Sequence, residues 1–238
     1  MKNNSIYLLL IAITISFTIL LSNNISFFSS YSQNTTSTKT TTVNNLNLFS
    51  IPANKTKVGD IDIGYKKIGV GPPILLITGF SASMNNWPPT LISNLSKHHT
   101  VYIFDNRGIG NTTLGYKNFT IDQFTQDTLG LMNALNISKT DIIGFSMGGF
   151  IAQDIAVINP QKINKLVMYA TVCGGPESTP LNKNLTYITQ NSKNTTEFYR
   201  VLIPLIFPKE FIDKIPDFIV TAAKTFPLDT PMNTLRNQ

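Results

Sequence analysis

Apolar and polar positions divide the chain into four textures. Residues Ile6 to Leu21 are continuously apolar or uncharged, IYLLLIAITISFTILL, with Lys2 in front. As a helix this run would span about 24 Å, slightly less than a membrane's hydrocarbon core. Ser22 to Phe28 can lengthen it. It is longer than the apolar region of most signal peptides, and no A-x-A site follows. Two readings stay open, an uncleaved anchor or a cleaved signal peptide, both placing the rest of the chain outside. The next stretch, Ser29 to Asn47, is rich in Asn, Thr and Ser with almost no apolar periodicity, and reads as a flexible tether.

From Leu48 the pattern changes to short apolar runs alternating with helical periodicity. Thr56-Lys57-Val58 and Ile61-Asp62-Ile63-Gly64-Tyr65 alternate around Gly59-Asp60, which predicts a hairpin. Ile74-Leu75-Leu76-Ile77 reads as a strand buried on both faces, Val101-Tyr102-Ile103-Phe104 and Asp141-Ile142-Ile143 as buried strands, and Leu166-Val167-Met168-Tyr169 as a further strand. Between them, Leu91 and Leu95 share one helix face after Pro88-Pro89. Ile121, Phe124, Thr128, Leu131 and Leu135 keep helical spacing behind Thr120, a cap candidate. Phe150 to Ala156 predicts a third helix, stopped by Asn159-Pro160. Strands alternating with helices imply an α/β fold, a mostly parallel sheet covered on both sides. After Gly174-Gly175-Pro176 no comparable strand run appears. Phe198, Val201, Leu202, Ile206, Phe211, Ile215 and Phe218 stand among prolines, which predicts short helices forming a partial lid. The divisions are therefore 1–28 anchor or signal, 29–50 tether, 51–178 core and 179–238 lid.

The candidate chemistry sits at Gly144-Phe145-Ser146-Met147-Gly148-Gly149. A strand, a tight turn with serine at its tip, and a helix make a nucleophile elbow. The glycines let strand and helix approach, the Ser146 hydroxyl should stand exposed above the sheet edge, and the Met147 N–H points at the same spot. Alone, G-x-S-x-G is a modest signal; its place between strand and helix strengthens it.

Composition narrows the function. Net charge is +6 and charged residues make up 13 %, but Lys and Arg are scattered, without the basic stripe that nucleic acid requires. No G-x-G-x-x-G, G-K-[ST] loop or metal-spaced histidine cluster appears, so neither cofactor nor metal is expected. The single cysteine, Cys173, excludes an internal disulfide and reads as a small buried hydrophobe. N-x-S/T triplets, for example at Asn34, Asn54, Asn111 and Asn194, permit glycosylation if the chain is exported. An Asn-rich chain also makes such triplets by accident.

Taken in order, Thr78-Gly79-Phe80 before Trp87, the Asp105-x-Arg107-Gly108-x-Gly110 turn and the elbow resemble the α/β-hydrolase superfamily. The likeness runs from about Val58 to Gln238 and is nearest to small esterases, enol-lactonases and cofactor-free haloperoxidase-like members. The resemblance implies Ser146 as nucleophile and the N–H groups of Phe80 and Met147 as an oxyanion hole. Thr78 stands where the family usually has histidine. Asp105 and Arg107 look structural, and Trp87 looks like packing or pocket wall. The implied function is a serine hydrolase cleaving a small ester or lactone through an acyl-enzyme, with the membrane reached only through the N-terminal segment.

The family orders its triad as serine, acid, histidine. Here the only histidines, His98 and His99, precede Ser146 and the strand at Val101, which places them at the wrong end of the sheet. Glu177 and Asp229 are candidate acids without an imidazole. The expectation is a C-terminally truncated hydrolase lacking its last strands and its catalytic His, with doubtful activity and an exposed apolar sheet edge. A binding or scaffold protein with the same fold, and a haloperoxidase-like perhydrolase, are the alternatives.

Overall fold

The structure is a computed structural model and describes residues 46–174, 192–214, 217, 219–220 and 223. Its centre is a six-stranded sheet: β1 Asn54–Val58, β2 Ile61–Ile68, β3 Pro73–Ile77, β4 Thr100–Phe104, β5 Thr140–Phe145 and β6 Ile163–Tyr169. The order across it is β1-β2-β4-β3-β5-β6. The β1–β2 and β2–β4 pairs are antiparallel, and β4, β3, β5 and β6 run parallel. Among the described residues the α-helices are, in chain order, α1 Pro89–Leu95, α2 Ile121–Ala134, α3 Met147–Ile158, α4 Thr195–Ile206 and α5 Lys209–Ile212.

The continuous apolar runs are two-faced in the way their period demands. Leu75, Ile77, Tyr102, Phe104 and Ile142 face one core with Phe124, Leu131 and Met132 of α2 and Ile151 and Ile155 of α3. Their neighbours Ile74, Leu76, Val101, Ile103 and Ile143 face a second core with Leu48, Met84, Trp87 and Ile92. Side chains alternate across a strand, so an unbroken apolar run needs a hydrophobic layer on each side.

The helices begin where the sequence signals them. Thr120 caps α2 by accepting the Gln123 N–H at 3.1 Å, and α1 opens on Pro89. In α1 the fully buried residue is Ile92, while Leu91 and Leu95 are half-buried beside it. In β6, Val167 is 53 % and Met168 42 % exposed, in keeping with the expected apolar edge of the sheet. Among the described residues β6 stands at the edge of the sheet, with β5 as its partner. Cys173 lies beyond the end of β6 and is exposed, which corrects the reading of it as a buried hydrophobe. In the stretch expected to form the lid, α4 and α5 are helices; Phe198, Tyr199 and Ile203 of α4 are buried, as is Phe207 just after it. The apolar run Ile6 to Leu21, the tether up to 45, Glu177 and Asp229 lie outside the described residues. Among the described residues no helix is long and apolar enough to cross a membrane.

Candidate active site

Ser146 stands between the end of β5 and the start of α3, with φ 53° and ψ −117°. This is the conformation of a residue forced round a turn too tight for ordinary backbone. Packing makes the turn tight. A Cβ on Gly144 would lie 2.5 Å from the Gly148 carbonyl oxygen. One on Gly148 would strike the carbonyl oxygen of Ile77 in β3, and one on Gly149 would come within 2.6 Å of the Thr171 side chain. No side chain fits at these three positions, so glycine there is a requirement of close approach. The Ser146 N–H donates to the Tyr169 carbonyl at 3.1 Å, which ties the turn to the end of β6.

The loop after β3 meets this turn. A Cβ on Gly79 would stand 3.0 Å from the Ser146 Cβ, so the residue before Phe80 packs directly on the serine. The Met147 N–H opens α3. Neither it nor the Phe80 N–H has an acceptor among the described residues. Ser146 is half-buried, and backbone amides without an acceptor among the described residues are the kind of group an anion-stabilising site uses.

The Asp105 turn holds that loop in place. Asp105 is fully buried at the end of β4. Its carboxylate accepts the Met84 N–H at 2.6 Å and the Asn111 N–H at 2.8 Å. Asn106 donates to the Thr78 carbonyl at 3.3 Å. Arg107, also buried, donates to Asp60 through Nη1 and Nη2, each at 2.8 Å, and to Asp127 through Nε at 2.9 Å and Nη2 at 2.7 Å. Hydrogen bonds from Arg107 hold the Asp60 carboxyl well below the usual carboxylate range, and the Tyr116 and Lys117 N–H groups assist against the cost of burial. For Arg107 itself burial favours the neutral form, but the two carboxylates outweigh it and raise its affinity for the proton. The turn is a structural clamp, as its sequence suggested. Its acidic partners lie 47 and 20 residues away, and only the fold brings them there. Trp87 is packing: it is buried, 6.4 Å from the Tyr169 ring centroid.

His98 and His99 immediately precede β4, whose first residue pairs in register with the first residue of β3. Ser146 follows the last residue of β5, at the opposite end of the parallel strands, roughly 20 Å along the strand direction for a rise of about 3.3 Å per residue. Neither histidine joins the serine. Among the described residues no group of three or more His, Cys, Asp or Glu is placed to hold a metal.

These features place the chain among known proteins. A family model described as the alpha/beta hydrolase fold matches residues 72–201. A Mycobacterium tuberculosis protein named "Putative non-heme bromoperoxidase BpoC" is 34 % identical over 112 residues, 47 % of this chain and 42 % of that one. A "Putative carbamate hydrolase RutD" of Agrobacterium fabrum is 37 % identical over 102 residues, 41 % of this chain and 37 % of that one. The chain thus spans less than half the length of the curated relatives it matches. Among solved structures, the enol-lactonase from Burkholderia xenovorans superposes with a TM-score of 0.64 at 23 % identity, covering 77 % of this chain and 71 % of that one. A hydrolase from Pseudomonas aeruginosa gives 0.66 at 20 %, covering 78 % and 70 %. With the family model spanning more than half of its residues, this chain belongs to the α/β-hydrolase superfamily.

Proposed function

We propose that the protein is a serine hydrolase acting on a small ester or lactone. The carrying observation is Ser146 in a strained, half-buried turn packed on Gly79, with the N–H groups of Phe80 and Met147, the next residues along each segment, lacking an acceptor among the described residues. A base takes the Ser146 proton as its Oγ attacks the carbonyl carbon, and returns that proton to the leaving alcohol. The carbonyl oxygen takes up negative charge between the two amides, the alcohol leaves, and water releases the acyl group. The enol-lactonase likeness favours a lactone or ester among carbonyl substrates. The chain works outside the cell, tethered or released by its apolar N-terminal run.

A serine hydroxyl needs a base to take its proton, and neither His98 nor His99 stands where it can serve. That observation favours a second reading, a binding protein that keeps the fold without the chemistry. The bromoperoxidase-named relative favours a third, a perhydrolase using the same serine. A fluorophosphonate probe on the full native product separates enzyme from binder. Covalent labelling of Ser146, absent in Ser146→Ala, is the expected result. No labelling between pH 5 and 9 would establish the binding protein instead.

A further inference from the structure

The N-x-S/T triplets carry little weight as sequence, but their placement in the fold is selective. Six of them begin on described residues, at Asn54, Asn94, Asn111, Asn118, Asn136 and Asn194, and all six asparagines are exposed. Of the seven other described asparagines, Asn85, Asn86, Asn106 and Asn159 are not exposed. Triplets arising by accident would fall on both groups alike.

The hydrogen bonds sort the six further. Sugar attaches to the amide nitrogen, so what that atom touches decides its availability. Asn94 uses its oxygen, accepting from Lys97 Nζ at 2.8 Å. Asn194 likewise accepts the Glu197 N–H at 3.0 Å as the cap of α4. The side chains of Asn54, Asn118 and Asn136 make no hydrogen bond among the described residues. Asn111 is the exception: its Nδ2 donates to the buried Asp105 at 3.2 Å, and its Cβ sits against Gly64.

We propose that the exported chain is N-glycosylated, with Asn54, Asn94, Asn118, Asn136 and Asn194 as acceptors and Asn111 left bare. The co-reactant is an oligosaccharide carried on a lipid diphosphate. The asparagine nitrogen attacks the anomeric carbon and forms the C–N bond. The C–O bond to the diphosphate breaks, the lipid diphosphate leaves with the electron pair, and the amide proton passes to a base of the transferring enzyme. The attached sugar is bulky and solubilising. At Asn54, which begins edge strand β1, it would also obstruct pairing with another chain.

The proposal rests on export but not on hydrolase chemistry. The test isolates the native protein from cell, membrane and medium fractions of its source and maps its peptides by mass spectrometry. The expected result is sugar mass on the peptides of the five named asparagines, none on that of Asn111, and loss of the Asn136 sugar in Ser138→Ala. Protein recovered outside the cell with bare asparagines overturns the glycosylation. Protein found only in the cytoplasm overturns export and the glycosylation with it. Neither result depends on whether Ser146 reacts with the fluorophosphonate.

Discussion

Ser146 has φ 53° and ψ −117°, where a Cβ crowds its own backbone. Such a residue costs on the order of 1–3 kcal/mol, and the surrounding packing must hold it there. Glycine adopts positive φ without that penalty, so Ser146→Gly should relax the turn. The expected gain is about 1 kcal/mol in unfolding free energy from urea titration, together with loss of fluorophosphonate labelling. Ser146→Ala should lose the labelling without that gain, because alanine keeps the Cβ. Equal stability of the two variants would mean that the turn stores no strain. Single residues also mark where local pattern stops informing. Ser146 is legible because strand, glycines and helix lie within a short stretch around it. Cys173 is misread because its exposure depends on where β6 ends and how the chain leaves the sheet, which an apolar neighbourhood in sequence does not disclose.

At the level of elements, legibility tracks burial on both faces. Ile74 to Ile77 and Val101 to Phe104 announce their strands because each run meets two hydrophobic layers, one of them built by α2 and α3. Thr120 announces α2 because a cap is a local device. What the runs do not state is rank within the sheet. Leu166 to Tyr169 looks as apolar as the central strands, yet among the described residues β6 lies at an edge, with Val167 and Met168 exposed. Lys165 is exposed beside them, a charge of the kind that discourages edge-to-edge pairing. A second charge should add to that protection. Val167→Lys is expected to lower light scattering of concentrated protein severalfold and to leave the melting temperature within about 2 °C, since surface changes shift stability by about 0.5 kcal/mol or less. A melting temperature that falls by about 10 °C would mean that Val167 belongs to a packed layer.

Across the whole molecule, one charge cluster ties together three segments that lie far apart in sequence. Asp60 belongs to the turn between β1 and β2, Arg107 to the loop after β4, and Asp127 to α2, and the three side chains are almost entirely buried. The sequence marks Arg107 as structural without revealing its partners, because attraction between distant residues leaves no periodic trace. Removing one member of a buried ion pair costs about 3 kcal/mol or more, so Asp60→Asn should lower the unfolding free energy at pH 6 by roughly that amount. Acid acts on the same contact. An unfolded aspartate takes up its proton near pH 3.9, whereas the folded Asp60 holds out to lower pH because Arg107 donates to it. Below about pH 4 the unfolded chain therefore binds more protons than the folded one. Asp60's contribution is complete above that pH and drains away as pH falls toward the folded value. Urea midpoints measured from pH 6 to 2.5 should fall in the natural protein and fall less steeply in Asp60→Asn. Parallel curves for the two would show that Asp60 gains nothing from Arg107 beyond what it has in the unfolded chain, and would leave the clamp around the candidate site without its electrostatic anchor.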